Sequence, residues 1–309
     1  MPTTPAPVQS PAHVPLRHIV WLALALSTGA ALSLGITRFS YGLLLPPMRA
    51  DLNWSYTLAG AMNTVNALGY LLGALITPGL LQRHGASRVL MVGAALASVF
   101  MGLSGFFTDT FFLLTQRLLA GVASALVFIA GGLLAARLGA LQPGRGGFLI
   151  GLYYGGTGFG IVLSALLVPA VLAAALELPH AWAWAWWALA LACMAVTALL
   201  LWPARVLLQL APVTAAGDRA AVAFSWRPLG FALAGYTMFG VGYIGYMTFV
   251  IALLKEQGAS GAEVTVFYAL LGLAVLASSR IWAHMLDRYK GGQVLSLLCG
   301  LLGLATVLP

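Results

Sequence analysis

Two arginines stand well inside apolar runs of this chain, and their type and depth suggest an anion site. Arg38 lies eight residues before Pro46 in the run 19–46, and Arg117 lies eight residues after Asp109 in the run 110–136. Eight helical residues rise about 12 Å. If both runs cross a membrane, the two guanidiniums therefore sit at similar depth. A charge inside the membrane costs roughly 2.5–3.5 kcal/mol by insertion scales and normally faces a cavity or a partner. All seven acidic residues fall in loops or at the ends of apolar runs. Guanidiniums without a protein carboxylate fit an anionic substrate, such as a carboxylate held by paired N–H donors. The structural alternative is that Arg117, and with it Arg38, donates to backbone carbonyls or to asparagine side chains.

Other polar groups lie in reach of the same cavity. With Arg38 and Arg117, the candidate lining is Tyr41, Asn63, Asn66, Tyr154, Thr157, Tyr243 and Tyr246, with Gln116, Tyr153, Tyr236, Thr237 and Thr248 as further members. Each alone reads as a hydrogen bond between helices, worth about 0.6 kcal/mol. As a set they describe a site of aromatic, hydroxyl and amide groups. Cys193 and Cys299 are isolated in apolar runs, without metal or redox spacing, and read as small packing residues. There is no His-Glu-x-x-His, no Gly-x-Ser-x-Gly and no phosphate loop, so a membrane enzyme is disfavoured. No cofactor or metal is expected.

The elements that must position these residues are membrane helices. Hydrophobic residues make up 61% of the chain and charged residues 7%, against about 25% charged in soluble domains. Nine apolar segments lie near 19–46, 55–80, 88–107, 110–136, 147–175, 181–203, 228–254, 262–284 and 292–309. Spanning ~30 Å of hydrocarbon takes roughly 20 residues. Residues 1–16 read as a disordered tail, and the first run is too long for a signal peptide. The net charge of +8 is scattered between apolar runs, which excludes a nucleic-acid partner. With a cytoplasmic N-terminus, eleven basic residues fall inside and only Arg49 and Lys255 outside. The cluster Trp182-x-Trp184-x-Trp186-Trp187 reads as an interfacial belt. Residues 17–203 form a first bundle of six helices, 204–227 a cytoplasmic linker, and 228–309 a second, partial bundle.

The two parts repeat each other. Gly35-x-x-Arg38-x-x-Tyr41 lines up with Gly240-x-x-Tyr243-x-x-Tyr246, and Gln82-Arg83 with Asp287-Arg288, all at an offset of 205. Such duplicated bundles rock about a site between them. On this offset the second repeat would need three further helices, so the chain reads as nine twelfths of a duplicated bundle.

These motifs resemble the major facilitator superfamily over residues 19–309. Gly79-Leu80-Leu81-Gln82-Arg83-His84-Gly85-Ala86-Ser87-Arg88 resembles its G-x-x-x-D-R-x-G-R-R loop, with Gln82 in place of the acid and the glycine one place closer. Asp287-Arg288 keeps the acid in the second copy, and Arg117-x-x-x-Gly121-x-Ala123-Ser124-Ala125 is similar to the R-x-x-x-G-x-G motif of the fourth helix, with Ala123 in place of the second glycine. The string Gly35-Ile36-Thr37-Arg38-Phe39-Ser40-Tyr41, with Leu44-Leu45-Pro46, is similar to the YbfB/YjiJ-type bacterial group.

The resemblance implies an all-α integral membrane protein built as two six-helix repeats and placed in the bacterial inner membrane. Its implied function is secondary transport of a small organic solute by alternating access, and the two inner arginines point to an anionic one. Gln82, Arg83, Gly85, Arg88, Asp287 and Arg288 would then form cytoplasmic gate loops. The partners are membrane lipid, the small-molecule substrate and, as a candidate, a coupling proton, although no carboxylate or histidine within the apolar runs offers to carry one. The alternative is a truncated, non-transporting remnant or a subunit that needs a partner.

Overall fold

The computed structural model describes residues 15–142, 144–209, 226–289 and 293–307. Among the described residues nine helical rods follow one another. They are α1 (Leu16–Asp51), α2 (Tyr56–His84), α3 (Ala86–Leu103), α4 (Thr110–Ala140), α5 (Gly146–Ala174), α6 (Ala181–Gln209), α7 (Trp226–Glu256), α8 (Gly261–Arg288) and α9 (Gln293–Val307). No strand occurs among the described residues. Eight rods are long and apolar enough to cross a membrane, so the chain is a multi-pass membrane protein. Helix α9, the ninth expected segment, is apolar and has 15 described residues, fewer than the other rods. Helix α6 runs through Pro203 to Gln209, so residues 204–209 of the expected linker are helical. Residues 1–14 of the expected tail and 210–225 of the expected linker lie outside the described residues, and 226–227 belong to α7.

Rod α1 is not a single helix. An α-helix (Leu16–Ala30) leads into a π-helical stretch (Ala31–Ile36), a turn, and a second α-helix (Ser40–Asp51). Wider hydrogen bonds mark the break: the amides of Thr37 and Phe39 each reach back five residues, to the carbonyls of Leu32 (3.0 Å) and Leu34 (3.0 Å). Helix α5 presses against this segment, and only glycine permits the approach. A Cβ on Gly160 would stand 2.4 Å from the Ala31 carbonyl oxygen, and one on Gly35 would stand 2.5 Å from the Gly160 Cα.

The fold repeats the sequence offset at its helix ends. Rods α1 and α7 end at Asp51 and Glu256, and α2 and α8 begin at Tyr56 and Gly261, each pair 205 apart. The two turns match as well. Asn53 (φ 53°) and Gly258 (φ 88°) take the left-handed conformation, and Ser55 and Ser260 cap the following helices through their hydroxyls. Of these correspondences only Ser55 with Ser260 is a residue identity, so the duplication is a property of the backbone.

Candidate functional site

The break in α1 frees backbone carbonyls inside the membrane, where no bulk water can satisfy them. Side chains from three other rods do so. Arg117 of α4 donates from Nη1 to the Thr37 carbonyl at 2.8 Å. Ser164 of α5 donates to the Gly35 carbonyl at 3.2 Å. Tyr268 of α8 donates to the Phe39 carbonyl at 2.7 Å. Within α1, the Thr37 hydroxyl bonds the Ser33 carbonyl, and Ser40 donates to Ile36 at 2.5 Å. Thr37 also meets the Ser124 hydroxyl at 2.7 Å.

Arg117 is thus built into the protein. It is fully buried, and its guanidinium lies 5.2 Å from the Tyr41 ring and 5.5 Å from the Trp186 ring. Its Nε and Nη2 have no hydrogen-bond partner. Asn66 holds the same turn of α4, donating to the Arg117 carbonyl at 2.9 Å. Trp186 and Trp182 are buried rather than standing in an interfacial belt, whereas Trp184 is exposed.

Arg38, by contrast, is only half buried and lines a narrow cleft with Phe39, Gly42, Asn63, Tyr243, Ile244 and Met247. The cleft therefore lies between α1 and α2 on one side and α7 on the other. Arg38 is near enough to Arg117, Tyr70 and Tyr243 for its charge to act on them. Among the described residues the one carboxylate ion pair is His180 with Asp51 (2.6 Å), at a helix end. Neither inner arginine is matched by a carboxylate.

A pseudo-twofold relation organises the cleft. Arg38 and Tyr243, partners in the 205-residue offset, line it together. Asn63 and Tyr268 share that offset, and both reach across. Asn63 donates from Nδ2 to the Thr248 hydroxyl of α7 at 2.6 Å, while Tyr268 donates to Phe39 of α1. Asn63 keeps its Oδ1 free of any partner. Tyr268 was not among the sequence candidates, although adding the offset to Asn63 points to it.

The remaining candidates are spread around this centre. Tyr41 is fully buried beneath the cleft and donates to the Ala59 carbonyl at 2.6 Å. Thr157 is buried on α5 beside Gly35. Tyr154 is exposed and belongs to an aromatic group with Phe128 (5.2 Å) and Tyr153 (5.2 Å), with Tyr70 and Tyr236 close by. Tyr246 faces a separate recess with Tyr56, Phe249 and Glu256. At that end Tyr56 of α2 donates to the Glu256 carboxylate of α7, and the Arg49 guanidinium sits 3.9 Å over the Tyr56 ring. At the opposite end, Gly85 (φ 78°) closes α2, and Gln82, Arg83 and Arg88 are exposed. Arg288 is exposed at the end of α8, whereas the Asp287 side chain lies outside the described residues.

A broken first helix, satisfied by neighbouring rods and flanking a cleft between two repeats, is the architecture of a membrane transporter. The solved structure of a D-xylose–proton symporter is similar at a TM-score of 0.59 and 16% identity, over 88% of this chain and 70% of that one. A bacterial homologue of the human drug peptide transporters PepT1 and PepT2 is similar at 0.52 and 16% identity, over 85% of this chain and 56% of that one. The tetrameric PepTSo2 structure gives 0.50 and 16%, over 90% and 57%. At these identities the likeness shows the fold. The chain spans little more than half the length of the peptide transporters it matches. No curated protein matches it. The family described as the uncharacterised MFS-type transporter YbfB matches residues 30–309, and the chain belongs to that family.

Proposed function

We propose that the protein is a secondary transporter that moves a small organic anion by alternating access, with Arg38 as the charge that receives it. The observation that carries this reading is Arg38 itself. It is half buried, lines the cleft between the two repeats, stands opposite its own repeat partner Tyr243, and meets no carboxylate among the described residues. A permanent cation in such a place needs an anion or a cavity. The unpartnered Oδ1 of Asn63 adds an acceptor for a hydroxyl or ammonium group on the same solute. Arg117 is assigned a different role, as the clamp that holds the broken helix.

With the N-terminus in the cytoplasm of a bacterial cell, the arginine-rich ends carrying Arg83 and Arg288 face inward, and the end carrying Asp51, Tyr56 and Glu256 faces outward. The hydrogen bond of Tyr56 to Glu256 and the bond of Asn63 to Thr248 then close the outer side. On the inner side α5 and α8 meet: a Cβ on Gly151 would stand 3.2 Å from the Ser279 carbonyl oxygen, and the Arg280 guanidinium lies 5.6 Å from the Phe148 ring. The bundles of 17–203 and 228–309 would rock about the cleft between these contacts.

The test is binding by the purified protein, read as thermal stabilisation by a fixed panel of mono- and dicarboxylates and neutral sugars. At least one carboxylate should raise the melting temperature of the wild type, no neutral sugar should do so, and Arg38→Ala should abolish the effect. Undiminished carboxylate stabilisation in Arg38→Ala would remove the anion site.

A further inference from the structure

A second site lies away from the cleft, on the outer flank of the first six helices. At the arginine-rich end of α2, α3 and α6 a recess of about 480 Å³ is lined by Leu80, Val92, Leu126, Leu201 and Leu208. His84, Arg88 and Arg205 also border it, all three exposed. A second apolar recess of about 570 Å³ follows between α3 and α6, reaching to Leu103 and Phe106. Met91 and Leu201 line both, so the two form one groove. From Arg88 the groove follows α3 for eleven residues to Val99, about 16 Å, close to the depth of one leaflet of a ~30 Å core.

The groove is apolar along its length and cationic at one end only. No Asp or Glu lines either recess, and neither arginine has a carboxylate partner among the described residues. Any lipid could fill the apolar part. The two guanidiniums at the mouth discriminate, because they offer paired donors to a phosphodiester and gain from its net negative charge only when the rest of the headgroup carries no cation. We propose that this groove is a binding site for an anionic phospholipid of the leaflet at the arginine-rich end. The acyl chain lies between α3 and α6, and the phosphate sits between Arg88 and Arg205. Arg88, read from sequence as part of a gate loop, then serves as a lipid ligand as well.

The probe is phosphatidylglycerol against phosphatidylcholine of the same acyl chains, added to the purified full chain in detergent and read by native mass spectrometry. The wild type should retain phosphatidylglycerol preferentially, and the preference should fall as salt is raised. Arg88→Gln with Arg205→Gln should weaken that retention roughly tenfold to thirtyfold and leave phosphatidylcholine unchanged. Arg137→Gln, which alters a basic residue outside the groove, should leave both lipids as in the wild type. Should the double variant fail to fold, the salt dependence of the wild type still decides. Equal retention of the two lipids, retention insensitive to salt, an unchanged double variant, or a second copy of the chain occupying the flank would each overturn the proposal. The solute site is untouched by any of these outcomes.

Discussion

The two inner arginines have the same chemistry and different settings, and burial with partners is what separates them. Arg117 bonds the Thr37 carbonyl and is sealed under Tyr41 and Trp186. Arg117→Met should therefore strip a donor from a buried carbonyl and cost about 1–3 kcal/mol of stability. A lowered melting temperature of the purified variant in detergent checks it, and Arg117→Lys should recover part of the loss. Arg38→Gln should leave the melting temperature near that of the wild type but weaken carboxylate binding roughly tenfold to a hundredfold, as titration with the responding carboxylate would show. The sequence disclosed both residues, because a charge in a long apolar run is conspicuous. It left open which was clamp and which was receptor, since that depends on carbonyls freed by a distant break. Tyr268 escaped notice because a tyrosine in an apolar run looks like any packing residue until the offset from Asn63 is applied.

At the scale of elements, hydropathy alone located the rods, since eight of the nine described are long and apolar enough to cross a bilayer. The break in α1 was not legible. Ala31-Leu-Ser-Leu-Gly-Ile36 contains no proline and suits an ordinary helix. What opens it is the press of α5 through Gly160 and the offer of donors from Arg117, Ser164 and Tyr268. Gly160→Ala should therefore drive a methyl into the Ala31 carbonyl and deplete folded protein. The fraction eluting as a single species in detergent should drop several-fold, while Gly79→Ala, at an open position, should be neutral. The latch between α2 and α7 is tested by Tyr56→Phe, which removes the donor to Glu256. A cysteine placed at Met247 in the cleft should then react roughly two to five times faster with a membrane-impermeant maleimide added outside, the range an exposed polar contact supports. An unchanged rate would show that the outer side is closed by other contacts.

For the whole molecule, the duplication explains why one cleft gathers residues from both parts. Two copies of one hairpin, each ending a rod, turning through a left-handed residue and restarting from a serine cap, face each other about Arg38 and Tyr243. The fixed offset made this visible in sequence through a few identities, and the backbone extends it to the turns. Which side is closed was not legible, because it depends on tertiary pairs such as Asn63 with Thr248 whose members lie 185 residues apart. The central claim, a positively charged site between the repeats, can be measured without knowing the solute. In a background of Cys193→Ala and Cys299→Ala, Met247→Cys would be exposed in inside-out vesicles to an anionic sulfonatoethyl and a cationic trimethylammonioethyl methanethiosulfonate. With each rate referred to that of a small free thiol, faster reaction with the anion and loss of that preference in Arg38→Gln are the expected results. Faster reaction with the cation, or the same preference with and without Arg38, would contradict the account.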